Sequence, residues 1–244
     1  MLAMSSKLAL HCAVATAALI VQSWRDNSNP AARAQAHSLQ GLLYHQLGQW
    51  PQAMTSYKAA MAEFESDNDL FGIGQTCRQM GVLLLQQQQY GLARRWAELA
   101  VYGFTRASQS TNNPSLMLSH HAAALHLLGN ANFHLGHHAL AVKQLEKVLS
   151  IRYELQDTIG EALVLADLGQ IYQARQQCWH ALACYEGALD ICQPREAAFE
   201  GGWFEAKVRC LMAELYRSSG HWDLALKHYL EALALGQALG AQAD

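Results

Sequence analysis

Six histidines form the densest group of chemically active side chains in the sequence: His120, His121, His126, His134, His137 and His138. On one continuous helix, His134 and His138 would lie on the same face, a spacing that suits two zinc ligands. Gly136 falls between them where we expect the helix to end, and no Asp, Glu or Cys lies beside them to complete a site. We therefore predict no metal site and no cofactor, and keep zinc binding by this pair as an alternative to test.

Motifs of enzymatic catalysis are absent from the sequence. It contains no Gly-x-Ser-x-Gly nucleophile elbow, no phosphate-binding glycine loop and no His-Glu-x-x-His motif. Glu161, Asp167 and Glu214 are isolated carboxylates with no obvious partner for general acid and base chemistry. We predict that the protein is not an enzyme.

The composition and net charge of the chain exclude some classes of binding partner. The 244 residues are 51% hydrophobic and 15% charged, which excludes a disordered chain and predicts a polar but weakly charged surface. The formal net charge is −3, without the clustered Lys and Arg that nucleic acids and anionic lipids require. We therefore predict no nucleic-acid partner.

The first 24 residues allow two interpretations, a targeting segment or a packing helix. Lys7 followed by the apolar stretch 8–21 is similar to a secretory signal, but Gln22, Ser23 and Trp24 make a poor cleavage region. Fourteen residues at ~1.5 Å rise reach ~21 Å, short of the ~30 Å hydrocarbon core, so we predict no membrane-spanning segment. The cysteines show no Cys-x-x-Cys pair or disulfide framework, which favours a cytoplasmic protein.

Internal repeats are the most informative feature of the sequence. Five times, a small residue is followed twelve positions later by Ala: Gly41/Ala53, Gly81/Ala93, Gly129/Ala141, Gly169/Ala181 and Ala213/Ala225. Four positions past three of these alanines stand tyrosines, and seven positions past every one stands another small or β-branched residue. The tyrosines are Tyr57, Tyr185 and Tyr229.

This pattern predicts pairs of helices that cross closely. Each unit has two apolar-periodic stretches of helical length around a short break. Small residues on facing stripes let the two backbones approach, while Tyr and Leu fill the space beside the contact. Gly48, Gly136 and Gly220 stand where first helices must end in a left-handed cap, and Gln88 and Gln176 replace that Gly, so we expect those two turns to close differently.

The segment from Gly41 to Ala60, Gly-x-x-Tyr-x-x-x-Gly-x-Trp-x-x-Ala-x-x-x-Tyr-x-x-Ala, resembles the tetratricopeptide repeat (TPR). The spacing of 40 to 48 residues between units, and the similar segments that begin at Asp69 and Asp157, are similar to its long-helix subclass. The resemblance implies an all-α protein: a right-handed α-solenoid of about five TPR helix hairpins with an N-terminal capping helix. We assign residues 1–30 to the cap and 31–240 to the solenoid, with repeats near 31–68, 69–113, 114–156, 157–194 and 195–240.

We expect the helices near 3–25, 31–47, 50–66, 69–88, 90–108, 115–135, 138–155, 158–176, 179–193, 196–219 and 222–240. The segment from Thr105 to Pro114 is expected to absorb the eight extra residues of the 48-residue spacing between Gly81 and Gly129, which makes it the longest loop. The six tryptophans stand mostly at helix starts, and we expect them to be packing residues.

In the resembled family, first helices line a concave groove that binds extended ligands. The groove positions fall three residues before and one, four and five residues after the Gly. Amide side chains there can both donate to and accept from a peptide backbone. From these positions we select as partner-binding residues Arg78, Gln86, His126, Asn130, Phe133, His134, Gln170, Gln173, Glu214 and Arg217. Only Arg78 and Arg217 are cations, so we do not expect the Lys/Arg-rich clamp with which some relatives hold a terminal carboxylate.

The favoured hypothesis is a non-enzymatic protein–protein interaction module, a scaffold or assembly factor that binds a peptide or partner-protein segment in its groove. A ligand- or peptide-responsive regulator is the alternative. A further candidate for the binding surface is the aromatic cluster of Phe199, Trp203 and Phe204.

Overall fold

The computed structural model describes residues 29–109, 113–192 and 199–243, together with residues 16, 19 and 22–24. Within these residues the protein is all-α, with no β-strand. The helices are α1 (Pro30–Gln46), α2 (Trp50–Ser66), α3 (Leu70–Gln86), α4 (Tyr90–Ala107), α5 (Pro114–His134), α6 (His138–Glu154), α7 (Thr158–Ala174), α8 (Cys178–Cys192), α9 (Phe199–Ser218) and α10 (Trp222–Ala243).

The expected helix map from residue 31 onward is confirmed, with boundaries that differ by at most three residues. The expected capping helix over 3–25 lies largely outside the described residues. Within it, residues 16, 19 and 22–24 are helical. The assignment of residues 1–30 as a cap remains a prediction.

Helices α1, α3, α5 and α7 each begin after a short polar side chain that accepts a hydrogen bond from a free backbone N–H group. Asn29 precedes Pro30 and accepts from the amides of Ala31 and Ala32. Asn113 stands in the same relation to Pro114 and caps α5. We expected helices to begin near residues 31 and 115, and the hydrogen bonds of these caps explain why they begin there.

The three-residue turns within hairpins close through a left-handed residue. Gly48, Gly136 and Gly220 have φ of 71°, 81° and 80°, as expected. Gln88 and Gln176 each adopt φ of 59°, so the expectation that these two turns would close differently is wrong. The backbone hydrogen bonds that end the helix hold glutamine in the same conformation despite its Cβ: the amide of Gln89 donates to the carbonyl of Leu84, as Gln49 does to Tyr44.

The eight extra residues of the 48-residue spacing do not all lie in the loop. The connection from α4 to α5 covers residues 108–113, of which 110–112 lie outside the described residues. Helix α5 has 21 residues and α4 has 18, whereas α1, α2 and α3 have 17 each. Helix extension therefore absorbs much of the additional length, which corrects the expectation of a single long loop. A second connection, 193–198, lies outside the described residues.

The chain divides into two compact units between Leu135 and Gly136. In the first unit, α1 packs on α2, α3 on α4, and α5 on α4. Gly41 is buried against the ring of Tyr57, and a Cβ there would come within 2.5 Å of the ring carbons. Ala53, Ala93, Ala60 and Ala100 are fully buried, as the small-residue pattern predicts.

The second unit repeats the same construction with α7 on α8 and α9 on α10. Gly169 lies against the ring of Tyr185, and the core around them contains Ala181, Val208 and Met212. Burial of these apolar side chains, worth ~25 cal/mol per Å², is what holds the pairs together. The close-approach explanation of the repeat pattern is therefore confirmed in both units.

Candidate functional site

The expected groove residues of the first unit lie on α1, α3 and α5, and we call this set the first-helix face of that unit. It consists of Ser38, Leu42, His45, Gln46, Arg78, Val82, Leu85, Gln86, His126, Asn130, Phe133 and His134. The corresponding set in the second unit, on α7 and α9, consists of Ala166, Gln170, Gln173, Ala174, Cys210, Glu214, Arg217 and Ser218.

Side-chain hydrogen bonds join α1 to α3 across the first unit. The hydroxyl of Ser38 donates to Oε1 of Gln79 over 3.1 Å. Nε2 of His45 and Oε1 of Gln86 are 2.6 Å apart, in a bond in which the protonated ring nitrogen donates. The predicted binding residue Gln86 is therefore held in place by the neighbouring hairpin.

Arg78 on α3 is half-buried, and its Nε is buried with no hydrogen-bond acceptor among the described residues. The hydroxyl of the fully buried Tyr57 is likewise buried and unpaired in the described part of the chain. Burial raises the pKa of Tyr57 to about 12, partly offset by the positive charge of Arg78. Burial lowers the pKa of Arg78, because loss of water disfavours the charged guanidinium.

His120 on α5 is the third polar group near Arg78. Its ring stacks on Phe104, with centroids 5.4 Å apart, and meets Phe71 edge-on at 5.0 Å. Burial lowers the pKa of His120, and the Arg78 charge lowers it further. His120 is therefore neutral at pH 7 and supplies no second positive charge.

The predicted residues of α5 have mixed environments. His126, Asn130 and Phe133 are half-buried, and His134 is exposed. The His134 ring stacks on Tyr90 with centroids 4.5 Å apart and an interplanar angle of 10°, and lies 5.1 Å from the Phe133 ring. The last residue of α5, His134, therefore packs against the aromatic rings of Tyr90 and Phe133.

Helix α5 ends at His134 and α6 begins at His138, so the two histidines do not share one continuous helix. In the described portion of the chain, no group of three His, Cys, Asp or Glu side chains is placed to hold a metal ion.

In the second unit the predicted residues are paired with their neighbours. The Tyr185 hydroxyl donates to Oε1 of Gln173 over 2.9 Å, and Nε2 of Gln170 donates to Asp167 over 3.4 Å. The Tyr229 hydroxyl donates to Oε1 of Glu214 over 2.5 Å.

Arg217 also binds Glu214, with Nη2 2.6 Å from Oε2. The hydrogen bonds from Tyr229 and Arg217 lower the pKa of the Glu214 carboxyl. Charge is therefore balanced locally on this face of the second unit.

Sequence reasoning missed a contact that the tyrosines of the second helices make with the predicted groove residues. Tyr185 and Tyr229 reach the first-helix face, where they bond Gln173 and Glu214. The repeat pattern shows these tyrosines four residues past the alanine, but the sequence analysis assigned them a packing role alone. The ring does pack, and the hydroxyl at its end orients a polar residue of the predicted groove.

The aromatic cluster near residue 200 does not form a single surface patch. Phe204 is buried in the core of the second unit, whereas Trp203 is exposed and Nζ of Lys207 lies 5.8 Å from its ring centroid. The side chain of Phe199 lies outside the described residues. Trp179 and Trp222 are exposed as well, so the expectation that the tryptophans are packing residues is wrong for these two.

No described helix is both long enough and apolar enough to cross a membrane.

Family models for the tetratricopeptide repeat match residues 36–69 and 211–242, and a second such model matches residues 122–154. The chain therefore carries tetratricopeptide repeats and has the α-solenoid fold of that class. No curated protein sequence matches the chain.

Solved structures show the same fold. BtubC (BKLC) from P. vanneervenii is 17% identical with a TM-score of 0.78, and the match covers 95% of this chain and 92% of that protein. A Rap protein complexed with competence and sporulation factor is 13% identical with a TM-score of 0.71, covering 90% of this chain and 58% of that protein. YrrB, described as a TPR protein with an unusual peptide-binding site, is 14% identical with a TM-score of 0.53, covering 88% and 91%. At these identities the likeness establishes the fold.

Proposed function

We propose that this protein is a non-enzymatic interaction module of the cytoplasm that binds a peptide or a segment of a partner protein on its first-helix faces, as a scaffold or assembly factor. The observation that carries the proposal is the pair of hydrogen bonds, Ser38 to Gln79 and His45 to Gln86, that join adjacent first helices. Side chains that are already ordered lose less conformational entropy when a ligand binds.

The chemistry of the first-unit face suits an extended peptide. Amide and imidazole groups alternate with apolar ones, and Leu42 remains 37% exposed beside His45 and Gln46. Polar groups can satisfy the peptide backbone while apolar ones cover its side chains. The peptide-binding site named for YrrB supports this use of the fold.

Site-specific photo-crosslinking tests the proposal. A benzophenone amino acid placed at Leu42, on the first-helix face, is compared with the same group at Leu99, which is 50% exposed on second helix α4. We expect a discrete crosslinked partner from position 42 in lysate of the source organism, and none from position 99. Equal crosslinking from both positions, or from position 99 alone, would contradict the assignment of the face.

Substitution of face residues gives an independent test. The triple variant Asn130→Ala, Phe133→Ala, Gln170→Ala removes predicted contacts from both units. We expect it to lose the partner that crosslinks at Leu42, with its melting temperature measured alongside to exclude unfolding. The control Leu99→Ala leaves both faces intact and should retain that partner.

A ligand- or peptide-responsive regulator is the second candidate, and the similarity to the Rap protein complexed with competence and sporulation factor supports it. Isothermal calorimetry separates the two functions. A regulator should bind one short free peptide tightly with no protein partner present, whereas a scaffold should bind its partner protein and bind the isolated peptide weakly.

A further inference from the structure

Helix α10 has an apolar side that no described helix covers. Among the described helices, α10 packs on α9 alone. Trp222, Leu226, Leu230 and Leu233 are each between 56% and 66% exposed. Their spacing of three or four residues places them on one side of the helix, so this side of α10 exposes four large apolar side chains.

Two of these leucines occupy positions at which a second helix contacts the following hairpin. Leu226 and Leu233 lie one and eight residues past the repeat alanine of α10. In α8 the same positions are Leu182 and Leu189, which pack in one cluster with Val208 of α9. Helix α10 therefore has the side chains of a helix-packing surface without a described helix against it.

Leu230 departs from the repeat pattern. It lies five residues past the repeat alanine, where the other four second helices have exposed charged residues, namely Lys58, Glu98, Glu146 and Glu186. An exposed leucine at this position keeps apolar surface in contact with water. Because the equivalent positions stay exposed when another hairpin follows, the stacking of one more hairpin would not account for Leu230.

The exposed side of α10 is complementary in shape to itself. Large side chains at 222, 226 and 230 are followed, at the same four-residue spacing, by the exposed Ala234 and Ala238, and we call these five residues the α10 ridge. When two α10 helices lie antiparallel across a two-fold axis, Leu230 of each helix meets Ala234 of the other, and Leu226 lies toward Ala238. Large side chains then fill the space beside small ones.

We propose that the α10 ridge is an interface through which two copies of this chain associate, with the two helices antiparallel. The inference goes beyond the proposed function, because it uses a second helix instead of the first-helix faces. The charges agree with this pairing: when Leu230 lies opposite Ala234, the exposed cation Lys227 lies opposite the neutral Gln237. No like charges oppose each other at that point.

Head-to-tail stacking of α10 on helix α1 of another copy fits less well. One residue before the small residue of each repeat, the later first helices have buried apolar residues, namely Met80, Leu128, Leu168 and Met212. In α1 this position is Gln40, which is half-buried and accepts a hydrogen bond from the hydroxyl of Ser56. An amide side chain bonded within its own hairpin is a poor contact for the exposed leucines of α10.

Sedimentation equilibrium of the full-length protein tests the interface. One helix from each copy makes a small interface, so we expect a dissociation constant between about 1 μM and about 1 mM. A two-fold interface is fully used when two copies meet, so association should stop at the dimer. Species that continue to grow with concentration would contradict the two-fold arrangement.

Substitution of Leu230 tests whether α10 holds the dimer together. Leu230→Glu introduces the residue that α4, α6 and α8 have at this repeat position, so the fold should tolerate it. We expect at least ~10-fold weaker dimerisation, because the change occurs twice in the interface. The matched control is Leu224→Glu: Leu224 is 42% exposed on another side of α10, and its substitution should leave the dissociation constant unchanged.

A second variant separates specific packing from general apolar adhesion. Ala234→Leu enlarges an exposed side chain that has room in the monomer but lies opposite Leu230 in the proposed dimer. We expect it to weaken dimerisation at least ~10-fold, because two large side chains would then overlap. General adhesion of apolar surface would instead become stronger with the added leucine. Melting temperatures of all variants, measured alongside, establish that each remains folded.

Three outcomes overturn the interface: a monomer at every concentration, an unchanged dissociation constant in Leu230→Glu, or tighter association of Ala234→Leu. Failure of the interface is distinguishable from failure of the proposed function. If the wild type is monomeric while Leu42 crosslinks a partner, the first-helix face binds its partner without the α10 dimer. If the wild type dimerises through α10 and Leu42 crosslinks nothing, the proposed function fails and the interface remains.

Discussion

The hydroxyl of Tyr185, on α8, donates a 2.9 Å hydrogen bond to Oε1 of Gln173, on the preceding helix α7. The ring of this tyrosine is fully buried and packs against Gly169, so one side chain closes the hairpin and orients a residue of the predicted binding face. Helix packing and the orientation of a predicted binding residue are therefore coupled within a single repeat.

Removal of the tyrosine hydroxyl should have different effects on stability in the two units. Tyr185→Phe loses a hydrogen bond, and we expect it to lower the free energy of unfolding by about 0.5–1.5 kcal/mol. Tyr57→Phe removes a buried hydroxyl with no partner in the described residues, and we expect it to be neutral or stabilising in the absence of ligand. Urea unfolding of both variants measures the difference.

Equal destabilisation by the two substitutions would show that Tyr57 has an acceptor after all, such as an ordered water. That result would contradict the description of Tyr57 as a buried donor without an acceptor in the described residues.

The fold was largely predictable, because small residues recur at fixed offsets where two helices cross closely. Gly41, Ala53 and Ala60 are buried because there is no room for larger side chains, and this constraint is visible in the sequence. The tryptophans were not predictable in the same way. Trp179 is 84% exposed at a helix start, where its bulk alone gives no information about burial.

The small residues also permit a sharp test of the packing. A Cβ at Gly169 would overlap the Tyr185 ring, so Gly169→Ala should destabilise the protein by about 1–3 kcal/mol. Gly236, in α10, has open space around it, and Gly236→Ala should stabilise by about 0.5–1 kcal/mol because Ala favours the helix. Thermal unfolding compares the pair, and destabilisation by both would contradict the close-approach explanation.

The predicted binding face was harder to derive than the fold, because the orientation of each polar side chain depends on its hydrogen-bond partner. The sequence places both Gln86 and Gln173 at predicted groove positions near the end of a first helix. Gln86 bonds His45, whereas Gln173 bonds Tyr185. Repeat offsets specify where a residue stands on a helix. The offsets do not specify the side-chain rotamer. For His45, the bonded partner Gln86 lies 41 residues further along the chain.

Replacement of the left-handed glutamines should stabilise the turns. Gln88 and Gln176 both have φ of 59°, a conformation in which a Cβ is unfavourable. We expect Gln88→Gly and Gln176→Gly each to raise the free energy of unfolding by about 0.5–1 kcal/mol. The reverse change, Gly48→Gln at φ of 71°, should lower it by a similar amount. A loss of stability in both Gly variants would mean that the glutamine side chains contribute contacts that outweigh the strain.

The cap of α3 depends on one carboxylate. Oδ1 of Asp69 accepts from the amides of Phe71 and Gly72, both at 3.0 Å. Asp69→Ala should therefore cost about 1 kcal/mol, whereas Asp69→Asn keeps an accepting oxygen and should cost much less. Chemical denaturation distinguishes the two. If Asn were as destabilising as Ala, the negative charge at the helix start would matter more than the hydrogen bonds.

The ion pair between α1 and α2 should make stability depend on pH in the acid range. Arg33 binds Glu63 through two bonds, Nε to Oε1 at 3.0 Å and Nη2 to Oε2 at 2.7 Å, and these bonds lower the pKa of the Glu63 carboxyl. A carboxyl with a lowered folded-state pKa stabilises the protein above the unfolded value of about 4.3, and this contribution disappears as pH falls through the folded-state pKa. At pH 7 the wild type should therefore have a higher melting temperature than Glu63→Gln, and this difference should disappear on acidification.

The exposed pair of Arg94 and Glu98 provides the control Glu98→Gln, for which we expect little difference in melting temperature at any pH. A gap for Glu63→Gln that stays constant down to acid pH would assign the effect to packing of the side chain instead of its charge.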